Sequence, residues 1–137
     1  MGRSDLAKRQ ERLAAASRIM QLKAKMAQSE LGAALREEAD LKRRIDQCEH
    51  YLARSDLLAL SLQPVVASEY KALLSALAVL AAKTARLRAE ASTHQLRSDK
   101  VDEKLGAAKA LVTRSQQERQ NHEQVIEHHM RRKPRTS

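Results

Sequence analysis

The stretch LKRRIDQCEHYLARSDLLALSLQPVV, residues 41–66, decides the fold of this 137-residue chain, because one seven-residue repeat ends within it and another begins. Residues 55–64 interrupt the repeat. Pro64 has no N–H to donate, and inside a helix its ring clashes with the carbonyl one turn earlier, whereas the first turn of a new helix accepts it well. The stretch therefore predicts two helices joined by a turn at residues 56–64.

Both flanks of this turn carry apolar residues at the a and d positions of a heptad, the pattern of a coiled coil. We call these positions the seam, and its apolar members are Leu6, Leu13, Met20, Leu31, Leu41, Ile45, Cys48, Leu52, Val66, Leu73, Leu77, Leu80, Leu87, Val101, Leu105, Val112 and Ile126. A short connection makes successive helices antiparallel neighbours. The predicted fold is all-α: one long two-helix antiparallel coiled-coil hairpin, with helix 1 at 4–55, helix 2 at 65–130 and a basic tail at 131–137.

The charge balance favours an acidic partner. The chain has 26 Lys and Arg residues against 17 Asp and Glu residues, a net charge of +9. Such a surface suits an acidic protein, nucleic acid or an anionic membrane, and charge alone selects none of them. The apolar runs at 57–62 and 73–82 are shorter than the roughly 20 residues of a membrane span. With no apolar leader at residues 1–5, we expect a cytosolic protein without a membrane span.

Few residues suggest chemistry. The single cysteine, Cys48, lies at a d position, where a small buried apolar side chain is the simplest interpretation. His122 is six and seven residues from His128 and His129, which is not the i, i+4 spacing of a zinc helix. There is no glycine-rich phosphate loop, and a continuous coiled coil offers no concave pocket. We therefore predict no catalytic residue, metal, cofactor or small-molecule substrate.

Two clusters stand out from the plain coiled coil. The open end collects basic residues, among them Arg3, Lys8, Arg9, Arg12, Arg131, Arg132 and Lys133. The turn collects apolar and aromatic residues, namely Tyr51, Leu57, Leu58, Leu60 and Leu62. Solvated helix ends and local packing across the turn are the structural explanations. A docking site for an acidic surface and an apolar contact site are the functional ones.

The chain resembles the flagellar export protein FliJ and its injectisome counterpart, the YscO-type stalk protein, in architecture, length and charge. The supporting stretches are LAKRQERL at 6–13 and IDQCEHYL at 45–52. The resemblance implies a cytoplasmic stalk, peripheral to a membrane-bound type III secretion machine. The basic open end would bind a hexameric secretion ATPase, the apolar turn would bind the cytoplasmic ring of the export gate, and the stalk would couple ATP hydrolysis to protein export. The C-terminus is more basic than this family implies, which leaves open which end carries which contact.

Other functions fit the same residues. A coiled-coil adaptor would bind other helices along a groove. A nucleic-acid-binding coiled coil would use Lys and Arg against phosphates, although acidic residues are interspersed along both helices and aromatic stacking residues are scarce. A helix lying on a membrane surface is the weakest of these readings, because the apolar stripe is already used by the seam. Whether the hairpin is a monomer or a dimer stays open.

Overall fold

In a computed structural model the chain forms two α-helices, α1 over Arg3–Leu52 and α2 over Leu57–Arg132. The structure describes residues 3–132, and side chains from residue 5 onward. The two helices pack against each other as an antiparallel hairpin, and no strand occurs within 3–132. The all-α hairpin predicted from the heptad repeat is confirmed.

The turn is shorter than the sequence predicts, and it ends earlier. Only residues 53–56 separate the helices, so the predicted turn at 56–64 is wrong for residues 57–64, which are helical. Asp56 explains the early start of α2: its carbonyl accepts a hydrogen bond from the Leu60 N–H at 3.0 Å, and its carboxylate accepts one from the Ala59 backbone. Asp56 is therefore the N-cap residue of α2, a position for which Asp is among the best residues.

Pro64 consequently lies inside α2, as its eighth residue, and not in the first turn. A residue with an N–H at this position would bond to the carbonyl of Leu60, and Pro64 leaves that carbonyl without its helical partner. Pro64 is exposed, so water can reach this part of the helix. The start of α2 thus combines a strong cap with an unfavourable interior proline.

The cap makes a pH-dependent prediction. The pKa of Asp56 lies below its ordinary value of 3.8, chiefly because the Arg54 side chain donates hydrogen bonds to its carboxylate at 3.0 and 2.9 Å. Since the folded-state pKa is the lower one, this contribution to stability is present above pH 3.8 and is lost as the pH falls through the folded value. We expect a carboxyl ¹³C NMR titration of Asp56 to have its midpoint below 3.8. Arg54→Gln should move that midpoint upward, and an unchanged midpoint would show that Arg54 is not the cause.

The chain divides into two compact units, each built from one segment of α1 and one of α2. Unit 1 comprises Met1–Gln21 and Leu96–Ser137, and unit 2 comprises Leu22–Gln95. In unit 2 the seam forms two buried apolar clusters, one around Ala34, Leu80 and Leu87 with Leu31 and Leu41, the other around Ile45, Cys48 and Leu73 with Leu41, Val66, Tyr70 and Leu77. The strongest apolar contacts of this unit therefore lie where the heptad is cleanest.

Unit 1 has a more polar seam. Ser17 is buried and donates a hydrogen bond to Asp102 at 2.5 Å, and Gln21 donates to the same carboxylate at 3.4 Å. In the described α2 segment of this unit, the buried side chains are those of Ser98 and Ala108. The hydrogen bonds satisfy the buried hydroxyl of Ser17, and they align residue 17 of α1 with residue 102 of α2.

The seam residues named from the sequence are buried or half-buried, with one exception. Ile126 is 45% exposed, and every residue from Gln116 to Arg132 is exposed. In unit 1, Leu6 and Ala7 lie beside Val112 and Gln116, so the described part of α1 reaches no further along α2. The sequence places Ile126 in the seam by its spacing alone, and no described side chain of α1 lies beside it.

Candidate binding surfaces

The start of α2 exposes four leucines that we call the tip leucines: Leu57, Leu58, Leu60 and Leu62, which are 87%, 66%, 49% and 45% exposed. Their exposure follows from the heptad. The seam of α2 begins at Ala59, which is only 2% exposed, so the side chains on either side of it point away from α1. The tip leucines thus place four exposed apolar side chains at the start of α2, where the sequence predicts a contact site.

Tyr51, which the sequence groups with these leucines, has a different environment. It is half-buried, and the Arg54 guanidinium lies over its ring at 5.2 Å from the centroid. Arg54 also pairs with Asp56, so the two charges of the turn neutralise each other. Tyr51 therefore packs within the turn, and the exposed apolar side chains near the turn are those of the tip leucines.

The exposed apolar surface continues along α2. Within residues 65–82 the charged residues are Glu69 and Lys71, and the buried ones are Leu73 and Leu80. Two further large apolar side chains, Val65 and Val79, are 66% and 74% exposed. Val65 belongs to the apolar turn region of the sequence, whereas Val79 was not predicted as a contact residue. Both immediately precede seam positions, and counting apolar residues at those flanking positions was the signal that could have found Val79.

The length of α2 bears on the two apolar runs named from the sequence. The runs 57–62 and 73–82 are each too short for a membrane span, but they belong to one helix, and α2 is by length and composition long and apolar enough to cross a membrane. Next to this part of α2, Arg44 of α1 forms an ion pair with Glu69 of α2 at 3.4 Å. Exposed apolar side chains of α2 therefore extend beyond those that the seam buries.

Most of the net charge lies in unit 1. By sequence it contains 15 Lys and Arg residues and 8 Asp and Glu residues, a net +7 of the total +9. Of the predicted basic contact residues, Lys8, Arg9, Arg12, Arg131 and Arg132 are exposed. Lys133 and the side chain of Arg3 lie outside the described residues.

Two ion pairs reduce the charge at the end of α2. Arg131 pairs with Glu127 at 2.7 Å, and Arg119 pairs with Glu123 at 3.1 Å, both at i, i+4 spacing on an exposed helix. Such pairs stabilise a helix by a few tenths of a kcal/mol, and they hold these guanidinium groups against their own helix. Arg131 is therefore a poorer candidate for binding an acidic partner than Arg9 and Arg12, which form no ion pair with the described residues.

The remaining candidate groups do not converge. Within residues 3–132 no group of three His, Cys, Asp or Glu side chains is close enough to hold a metal ion. Cys48 is a buried free thiol of the unit 2 seam. A groove of about 130 Å³ in unit 1, lined by Leu6, Ala7, Val112, Ser115 and Gln116, is a gap in the seam.

No protein-family model, curated protein or solved structure matches this chain.

Proposed function

We propose that this chain is the non-catalytic central stalk of a type III secretion export apparatus, linking its hexameric ATPase to its export gate and coupling ATP hydrolysis to protein export. The observation that carries the proposal is the distribution of surface chemistry on a two-helix hairpin. The tip leucines expose apolar area in unit 2, while most of the net positive charge belongs to unit 1.

The tip leucines support the gate contact. Burying an exposed leucine side chain in an interface contributes about 1.5–3 kcal/mol. Because Arg54 and Asp56 pair with each other, the surface beside them carries no net charge that a partner must neutralise. An apolar groove of the export-gate ring is the partner that this surface fits.

The unpaired cations of unit 1 support the ATPase contact. Lys8, Arg9 and Arg12 lie on two successive turns of α1 and are exposed. Acidic side chains lining the central opening of a hexamer would attract them, and the attraction would weaken as salt is added. The role requires no active site in this chain, since the ATPase carries the catalysis.

The proposal is tested by recovering the tagged full-length chain from its native host with nuclease present, at low and at high salt, and identifying bound proteins by mass spectrometry. We expect the hexameric ATPase and the export-gate subunits, with the ATPase lost at high salt. Recovery of neither would reject the stalk role.

A pair of variants separates the two contacts. Leu57→Ser with Leu58→Ser should reduce recovery of the gate subunits at least tenfold and leave the ATPase unchanged, because these side chains belong to the tip surface. Leu22→Ser with Met26→Ser is the matched control, since both α1 side chains are similarly exposed, at 59% and 57%. Equal loss of the gate in both double variants would show that the tip leucines are not its binding site.

A further inference from the structure

Acidic and basic residues alternate along both helices in the sequence, but in unit 1 the pairing of the helices brings several cations together on one side. Gln21 follows the seam residue Met20, Asp102 follows the seam residue Val101, and their side chains are hydrogen-bonded. Residues that follow seam positions therefore share one side of the pair, and residues that precede seam positions share the other. Within unit 2, Arg44 and Glu69, which both precede seam residues, likewise make an ion pair with each other.

The side that precedes the seam is basic. Five of its exposed cations form a run that we call the basic stripe: Arg9 and Arg12 on α1, and Arg97, Lys100 and Lys104 on α2. No ion pair joins any of the five to a described residue. Asp5 and Arg114, which also precede seam positions, lie beyond the stripe. Of the acids at this level, Asp99, Asp102 and Glu11 follow seam positions, whereas Glu103 lies next to Lys104 on the outward face of α2.

The five cations are evenly spaced. Because Ser17 is bonded to Asp102 and the helices run antiparallel, Arg12 lies level with residue 107 of α2, and Arg9 with residue 110. At about 1.5 Å per residue, the successive levels are about 4.5–6 Å apart, and the whole stripe is about 20 Å long. A coiled coil can bury its seam without such a row of unpaired cations. The row is unfavourable for folding because its like charges repel each other.

We propose that the basic stripe binds the phosphate backbone of nucleic acid. A phosphodiester chain presents a charge at every nucleotide, so it can meet evenly spaced cations in any register. An acidic helix would need contiguous apolar contacts as well. The exposed apolar side chains on this side, Ile19 and Leu111, are about 16 Å apart along the pair and offer no continuous strip. With both tyrosines in unit 2, no aromatic ring can stack on bases here, so binding is independent of base sequence and strongly salt-dependent.

The test is fluorescence anisotropy of the full-length chain with a labelled single strand and a labelled duplex of about 20 nucleotides, over a salt series. Lys100→Gln with Lys104→Gln removes two cations of the stripe that are not part of the proposed ATPase contact. We expect its affinity to fall at least tenfold near 0.1 M salt, and the slope of log K against log salt to decrease by about 1.4–1.8.

The matched control is Arg18→Gln with Lys109→Gln, which lowers the net charge equally but acts on the side that follows the seam. We expect it to keep the slope within about 0.5 of the unmodified chain's. Equal losses in both double variants, or no binding near 0.1 M salt, would overturn the proposal. So would displacement of the oligonucleotide by poly-glutamate at equal charge concentration, because the stripe would then favour an acidic protein. Circular dichroism of both variants establishes that they are folded, and neither variant changes the tip leucines, so the result is independent of the gate contact.

Discussion

Leu73→Asp is expected to destabilise the hairpin by about 4 kcal/mol and to lower its melting temperature by about 15 °C. Leu73 is 5% exposed and packs in the second cluster of unit 2 with Ile45 and Cys48. The substitution removes the apolar contacts of a buried leucine and places a carboxylate in a mostly apolar cluster, whose donors are the weak Cys48 thiol and the Tyr70 hydroxyl that already donates to Glu49. Thermal unfolding followed by circular dichroism at 222 nm measures the shift.

The neighbouring residue provides the control. Leu74→Asp makes the same chemical change one position along α2, where the side chain is 41% exposed and outside the buried clusters. We expect a loss of less than about 1 kcal/mol, as is usual for substitutions on a surface. If both variants melt at the same temperature, the seam does not run through Leu73 and the heptad register assigned here is incorrect.

Pro64→Ala is expected to stabilise the protein by about 2 kcal/mol, which is unusual for a single substitution. An alanine N–H can donate to the carbonyl of Leu60, and the clash of the proline ring with that turn disappears. The helix-propensity difference between Pro and Ala is about 3 kcal/mol, and the greater freedom of the unfolded chain offsets about 1 kcal/mol of it. Denaturant unfolding monitored by circular dichroism gives the free energy directly.

Ser68→Ala is the matched control, because Ser68 is exposed four residues further along the same helix and already donates its N–H. It should stabilise by a few tenths of a kcal/mol. If Pro64→Ala instead destabilises the protein, Pro64 lies in the first turn of α2. The turn at 56–64 predicted from the sequence would then be correct.

The two turn placements illustrate how local signals compete. Asp56 and Pro64 are both residue types found at helix starts, eight residues apart, and the turn predicted from the sequence rests on the proline alone. The structure resolves the conflict in favour of the cap. Asp56 receives hydrogen bonds from Arg54 and from the backbone of Ala59, and starting α2 there lets Ala59 pack against α1 at 2% exposure. These contacts outweigh the cost of an exposed interior proline, and only three-dimensional packing shows that they form together.

The sequence predicted the exposed residues near the turn better than it predicted the basic stripe. The exposure of the tip leucines follows from their positions beside Ala59 in the repeat, and the sequence identified all four. Tyr51 lies just as close to the turn in the chain, but its ring packs beneath Arg54, a contact that depends on the backbone path of residues 53–56. The basic stripe could not be predicted from the sequence, because it depends on the position of each charge along the helix pair and on the side where the charge lies. Both depend on how α1 and α2 are paired.

The sequence by itself determined that the protein is an all-α hairpin and which residues line its seam, because a heptad repeat is a local periodicity that specifies the buried face of each helix. Tertiary structure alone decided where the turn ends, which apolar side chains of α2 remain exposed, and how charge divides between the two sides of unit 1. These properties depend on the alignment of one helix against the other, and that alignment comes from contacts between residues far apart in the chain, such as Ser17 with Asp102 and Arg44 with Glu69.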